Sequence, residues 1–203
     1  MVDLHLNEYA SDGERQAKLC DVFSNDHPTN DMLGCLNELD DLLSRADKDR
    51  ADYFNKLKHW DKRFLDLAKL VSSWSKDPSS KVGAVIVDEK NRVVSLGFNG
   101  LPMGVEDTDE RLNNRELKYD LIVHAEQNAI LCSPQSVAGC RIYVYPYLPC
   151  SRCAGAIIQS GIKEVVVEDL PIPERWVKNF NLAKEILREA GINVRQIKGE
   201  ENG

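Results

Sequence analysis

No stretch of 18 consecutive apolar residues occurs anywhere in the 203 positions, so no span of the sequence is long and apolar enough to cross a bilayer. The opening Met1-Val2-Asp3-Leu4-His5 has none of the basic-then-apolar character of a secretory leader. A cytoplasmic protein with no membrane partner is the expectation. Excess positive charge is also missing. With 26 Lys/Arg against 33 Asp/Glu the net charge is −7, which leaves no bulk cation to draw a phosphate backbone, so a nucleic-acid partner is not expected. Six cysteines in a chain of this size are too few for a disulfide framework. Cys20, Cys35, Cys132 and Cys140 read as reduced, partly buried thiols. There is no internal repeat and no low-complexity linker.

What charge there is sits at one end. Residues 1–50 hold 12 Asp/Glu and 5 Lys/Arg, a net −7, so residues 51–203 are neutral. This sets off an acidic N-terminal extension, 1–48, from a main domain, 49–203. Within the extension a short helix is expected around Gly13–Phe23. Met32, Leu33, Leu36, Leu39, Leu42 and Leu43 recur at helical spacing after a start at Pro28-Thr29-Asn30. Tyr53, Leu57, Trp60, Phe64, Leu67, Val71 and Trp74 then form one apolar stripe on a long helix, the natural cover for one face of a sheet.

Val82–Val87 and Arg92–Phe98 read as a strand pair around Asp88-Glu89-Lys90-Asn91, and a polar loop is expected from Asn99 to about Asn114. Helices from His124 to about Cys132, Cys150 to Ser160 and Val177 to Ala190 alternate with strands at Cys140–Tyr145, Lys163–Val167 and Ile192–Ile197. A helix between the last two strands permits a right-handed crossover and predicts that they are parallel. The fold class is α/β, a three-layer α/β/α sandwich around a five-stranded mixed sheet.

The chemistry is concentrated in His124-Ala125-Glu126 and Pro149-Cys150-Ser151-Arg152-Cys153. A Cys-x-x-Cys pair by itself is equally a redox dithiol or half of a structural zinc site. Joined to one histidine it makes three ligands, His124, Cys150 and Cys153, the number that leaves a catalytic zinc one open position. His124 and Cys150 both fall at expected helix starts, where unpaired N–H groups and the helix dipole favour thiolate. Glu126 stands close enough to carry protons without binding metal. The pattern H-x-E…P-C-x-x-C is that of zinc-dependent nucleobase deaminases, and the fitting reaction adds water to the amidine carbon of an aminated base while Glu126 shuttles protons.

From about Lys62 to Ile197 the sequence resembles the cytidine and deoxycytidylate deaminase superfamily, and within it the dCMP branch. Beyond the zinc motifs, the resemblance rests on Ser75–Ala84, Gly97–Gly104, Lys118-Tyr119 and His124–Ile130. It implies hydrolysis of dCMP to dUMP and ammonia, one Zn2+ per subunit, and a homo-oligomer, hexameric in the family. It also implies dCTP and dTTP effectors, with Mg2+ as their companion ion. Asn99 would contact the sugar, and the Ala125 N–H the pyrimidine carbonyl. Phe98 stands where the family usually has Tyr, and residues 1–50 have no counterpart in its pattern. Cys153–Ile157 is similar to the tRNA adenosine deaminases, the enzymatic alternative, and a zinc-stabilised module without activity is the non-enzymatic one. A nucleotide's phosphate needs a cation, and Arg111, Arg115, Lys118 and Arg152 flank the zinc motifs, with Arg115, Lys118 and Arg152 taken as substrate-binding candidates.

Overall fold

The computed structural model describes residues 30–198, with the side chains of 30–36, 53–56 and 58 left out. The candidate helix at 13–23, Cys20, and the side chains of Met32, Leu33, Cys35, Leu36 and Tyr53 therefore lie outside the described residues. Among the described residues no helix is long and apolar enough to cross a membrane. The chain divides into two compact units, residues 1–53 and 54–203.

In the first unit the amphipathic pattern is realised as helix, but not as a separate one. A single helix, α1, runs from Asn30 to Ser72 with no break at residues 47–50. Asp47, Lys48, Asp49 and Arg50 carry no helix-breaking chemistry, so the change in charge composition leaves the backbone unaffected. Leu39, Leu42 and Leu43 are exposed.

In the second unit five strands form one sheet: β1 (Gly83–Val87), β2 (Val93–Phe98), β3 (Arg141–Tyr145), β4 (Glu164–Glu168) and β5 (Asn193–Ile197). Their order is β2-β1-β3-β4-β5. β1 runs antiparallel to both neighbours, and β3, β4 and β5 are mutually parallel, as expected from their crossover helices. The period-2 alternation sorts the strand residues onto two faces. Val85, Val87, Tyr143 and Val166 pack with Phe64, Leu65 and Ala68 of α1. Ala84, Ile86, Ile142, Val144, Val165 and Val167 face the other way, onto α4 (Ala125–Leu131), α5 (Ser151–Gln159) and α6 (Glu174–Glu189). The sandwich is thus the one expected, with the stripe shifted by one position. Phe64 and Val71 are buried, but Trp74 is exposed and meets Phe98 edge-on at 6.1 Å.

Two glycines set how closely the layers approach. A Cβ on Gly83 would stand 2.1 Å from the Ala68 carbonyl oxygen of α1. One on Gly97 would stand 2.2 Å from the Ala125 carbonyl oxygen and 2.4 Å from the Ala129 nitrogen of α4. Neither contact is with a yielding side-chain tip, so both helices lie as near to the sheet as they do only because these residues lack a Cβ.

The segment expected to be a loop up to Asn114 is partly helical, and a second short helix follows it where the sequence predicts no element. α2 (Asp109–Asn113) is capped by Thr108 Oγ1, which accepts from the Arg111 N–H, and α3 (Arg115–Leu121) by Asn114 Oδ1, which accepts from Glu116 and Leu117 N–H. Two short capped turns carry too little apolar periodicity to register as helices in sequence. Cys132 is exposed rather than partly buried, because α4 ends on it; Cys140 is buried.

On the α1 side the core holds one polar network. Asp61, fully buried, accepts from Tyr143 Oη at 2.8 Å and from the Arg195 guanidinium at both oxygens, one of them at 3.0 Å. Arg195 also reaches Glu164 at 2.9 and 3.0 Å. α1, β3, β4 and β5 are joined through it. Burial, and next the neighbouring Asp61 carboxylate, pushes the Tyr143 phenol well above its ordinary range, so it stays a donor. Removing one partner of such a group strands a buried charge, at a typical cost of about 3–5 kcal/mol. Arg195→Met should lie at the lower end, since Tyr143 still serves Asp61. The expected result is a loss of about 3 kcal/mol in urea unfolding, and a change within experimental error would show that the network carries no stability.

Candidate active site

Two helix starts meet. His124 is the N-cap residue of α4 and Cys150 that of α5, both with extended backbone, and Cys153 lies in the first turn of α5. The approach to His124 is held by a bridge in which Gly100 and Val123 exchange N–H···O bonds of 3.1 and 2.9 Å. The Gln127 side chain accepts from the His124 N–H at 3.4 Å, and Asn128 Nδ2 donates to the Phe98 carbonyl at 2.7 Å, tying α4 to the end of β2. The start of α5 is fixed by Asn179 of α6, which accepts from the Ser151 N–H at 2.9 Å and donates to Ser151 Oγ at 3.2 Å.

His124 Nδ1 consequently stands 3.5 Å from Cys150 Sγ and 3.3 Å from Cys153 Sγ, and all three donor atoms lie within 4.8 Å of one another. On a tetrahedral zinc, nitrogen at about 2.05 Å and sulfur at about 2.3 Å stand about 3.5 Å apart. The donor set therefore fits that ion in number, kind and spacing. The three groups already share charge as ligands do. The Cys150 thiol is pushed down to about 4, first by its hydrogen bond with Cys153 and, against burial, by His124. Cys153 is pushed up by the same bond and by burial, and His124 is raised chiefly by its bond to Cys150. Zinc takes cysteine as thiolate and histidine as neutral imidazole, so its binding here would release protons.

Glu126, in the first turn of α4, is 3 % exposed. Burial is the main cause that raises its carboxyl, opposed by the positive His124. A carboxyl raised toward neutrality can both give and take a proton.

Beside these groups is a cavity of about 250 Å³, lined by residues from every element around it. His124, Ala125, Glu126 and Cys150 form its floor, and the 77–82 segment with Asn99 forms one wall. Tyr147, Trp176 and Phe180 supply an aromatic surface, with Trp176 and Phe180 stacked at 6.1 Å. Of the sequence-selected substrate residues, Asn99, Ala125, Arg115 and Lys118 line this cavity. Arg152 is exposed and does not line it, and Arg111 bonds the Glu106 carbonyl at 2.8 Å outside it.

Lys118 and Asn99 are engaged with the protein itself. Lys118 Nζ, almost fully buried, donates to Asp77 at 2.9 Å and to Ser79 Oγ at 2.8 Å. Asp77 also accepts from the N–H groups of Ser79 and Ser80 at 2.7 and 3.3 Å. Asn99 accepts from the Val82 N–H at 2.8 Å and donates to the Ser80 carbonyl at 2.8 Å. Together they hold the 77–82 wall to α3 and β2. Arg175, Trp176 and Phe180, all from α6, are cavity residues that sequence reasoning missed. They lie far from the cysteines in sequence and match no spacing rule; the core packing of α6 and the Asn179 bonds to Ser151 bring them there.

Two outcomes follow from these contacts. Lys118→Met should leave Asp77 buried without its cation but still served by Ser79, Ser80 and Asn99, costing about 3 kcal/mol in chemical unfolding, the lower end for a broken buried pair; a neutral effect would remove Lys118 as the pin of the wall. For Glu126 the sign is worked from its raised folded-state pKa. Folding favours the protonated carboxyl, so its contribution to stability is full below the unfolded carboxylate pKa and is lost as pH rises through the folded value. Glu126→Gln cannot ionise, so with zinc removed from both proteins its melting temperature should gain on the parent as pH rises from 4 toward 8. A gap that stays constant or narrows over that range would contradict the burial account.

The comparisons with known proteins agree with this geometry. The family model for the cytidine and deoxycytidylate deaminase zinc-binding region matches residues 58–169. An uncharacterised deaminase of Aliivibrio fischeri is 44% identical over 137 residues, covering 66% of this chain and 91% of its own. Human deoxycytidylate deaminase is 42% identical over 127 residues, 59% of this chain and 67% of its own. The crystal structure of the dCMP deaminase of cyanophage S-TIM5 in complex with dCMP and dUMP is similar with a TM-score of 0.54. It is 25% identical and covers 67% of this chain and 95% of that one.

Proposed function

This chain belongs to the cytidine and deoxycytidylate deaminase family, and on that premise we propose that it hydrolyses dCMP to dUMP and ammonia with one zinc held by His124, Cys150 and Cys153. The observation that carries the reading is the clustering of three zinc-type donors, two of which, His124 and Cys150, line one cavity together with the buried Glu126 carboxyl. When bound there, zinc supplies the Lewis acidity that lowers the pKa of water to about 7.

The protein's own groups do the rest. The aromatic surface of Tyr147, Trp176 and Phe180 takes the flat base and excludes bulk water. The Ala125 N–H, in the first turn of α4, donates to the pyrimidine carbonyl. Glu126 takes a proton from the incoming water as its oxygen adds to C4, and passes it to N3. It takes the second water proton and delivers it to the departing amine as the C4–N4 bond breaks, which leaves dUMP and ammonia in balance with dCMP and water. Asn99, whose Nδ2 donates to Ser80 and Asp77 and whose Oδ1 accepts from Val82, offers the remaining acceptor capacity of Oδ1 to the sugar.

Homo-oligomerisation and control by dCTP and dTTP, with Mg2+ as their companion, are carried as proposals by the resemblance alone. Residues 1–48 take no part in the proposed chemistry, since every group assigned to it follows them.

The test is ammonia release from a panel of dCMP, CMP, dCTP, deoxycytidine and a tRNA, combined with zinc analysis. Turnover of dCMP above all others is expected. Glu126→Gln should keep zinc and lose at least ~10³-fold in kcat, within the range for a group that moves protons more than once. Cys150→Ser and Cys153→Ser should lose zinc as well. Zinc content without turnover on any substrate would favour a zinc-stabilised module, and turnover of the tRNA alone would favour an adenosine deaminase.

A further inference from the structure

The cavity wall carries three cations, Arg115, Lys118 and Arg175, and two carboxyls, Asp77 and Glu126. Their states differ. Lys118 is consumed within the wall by Asp77 and Ser79, so its charge is already balanced. Arg115 and Arg175 are exposed and have no carboxylate partner among the described residues. Each guanidinium lies over a ring, Arg115 at 5.3 Å from the centroid of Tyr119 and Arg175 at 5.8 Å from that of Trp176. Stacking restrains the planar group while leaving its N–H edges available, the form in which arginine recognises phosphate.

Arg175 has the better-anchored position. It is the second residue of α6, a 16-residue helix that starts after Pro173, so the positive end of the helix dipole adds to its charge. Trp176 and Phe180 seat that helix in the cavity wall, and Asn179 bonds it to Ser151, next to Cys150. The cation is thereby referenced to the same frame as the metal donors. Depth supplies the remaining argument. The base must reach Glu126 at the buried floor, so the phosphate, at the far end of the sugar, must lie toward the exposed rim where the two arginines are.

We propose that Arg175 is the specificity-determining residue that binds the 5′-phosphate of the nucleotide, with Arg115 as a second, weaker arm. This rests on the reading of the reaction given above. It moves phosphate recognition away from Lys118, whose charge is spent, and from Arg152, which does not reach the cavity.

The experiment compares dCMP with deoxycytidine, which presents the same ring and sugar without the phosphate, in the full-length zinc-loaded protein. Arg175→Gln should lower kcat/KM for dCMP by roughly 10- to 150-fold, the worth of a charge-assisted hydrogen bond, and leave deoxycytidine unchanged. Arg115→Gln should show the same selectivity with a smaller loss. Lys178→Gln, an exposed cation on the same helix outside the cavity, should change neither. An equal loss on both substrates from Arg175→Gln would mean a structural role and overturn the proposal, as would an unchanged dCMP rate. If the parent protein turns over neither compound, the reading of the reaction fails separately, and calorimetry with dUMP and deoxyuridine decides the point. Tighter binding of dUMP than of deoxyuridine, abolished by Arg175→Gln, would uphold the arginine; dUMP binding indifferent to Arg175→Gln would overturn it.

Discussion

Everything in the site depends on keeping two helix starts within a hydrogen bond's length of each other. One histidine nitrogen must stay 3.3–3.5 Å from two sulfurs carried on a different helix, and a shift of an ångström would spoil a tetrahedral donor set. Neither α4 nor α5 is long enough to be stable by itself. Both are placed by what they lie on. α4 rests so close to β2 that only glycine fits at position 97. α5 is held at its first residue by the Asn179 side chain of α6.

The strands supply the reference for both. β1 pairs with β2 on one side and β3 on the other, so the chain before His124, tied to Gly100, and the chain leading into Cys150 after β3 leave the same side of one sheet. Buried polar clusters then brace the unit on both faces. Asp61 with Arg195 and Glu164 ties α1 to the parallel strands, and Asp77 with Lys118 ties the cavity wall to α3. In both, a carboxylate is satisfied by several donors from different elements, the condition under which a buried charge is tolerable. The division of labour among cations follows from burial. Lys118 is inside and paired with Asp77, whereas Arg115 and Arg175 are exposed and have no carboxylate partner among the described residues.

The architecture was largely legible in the sequence because it is written in local periods. A continuous apolar run marked the buried β1, the four-and-three spacing marked α1 and its buried Phe64 and Val71, and glycines 161 and 191 marked helix ends. The clustering of His124, Cys150 and Cys153 was legible for a different reason: metal chemistry accepts few residue types, and their spacing is specific. α2 and α3 were not legible, since two capped turns bury almost no apolar face. The uninterrupted passage of α1 through residues 47–50 was hidden behind a change in charge, which does not break a helix.

The sequence by itself thus determined the layers, the parallel and antiparallel strands and the chemical identity of the candidate metal donors, because each depends on residues near one another in the chain or on a rare residue type. Only the tertiary structure decided what surrounds them. Lys118 and Arg152 look equally available as letters, yet one is buried against Asp77 and the other lies outside the cavity. Arg175, Trp176 and Phe180 look like ordinary surface and core positions of a distant helix until Asn179 brings that helix against Ser151. Which side chains share a cavity depends on contacts between residues far apart in sequence, and those are set by packing, which no local period records.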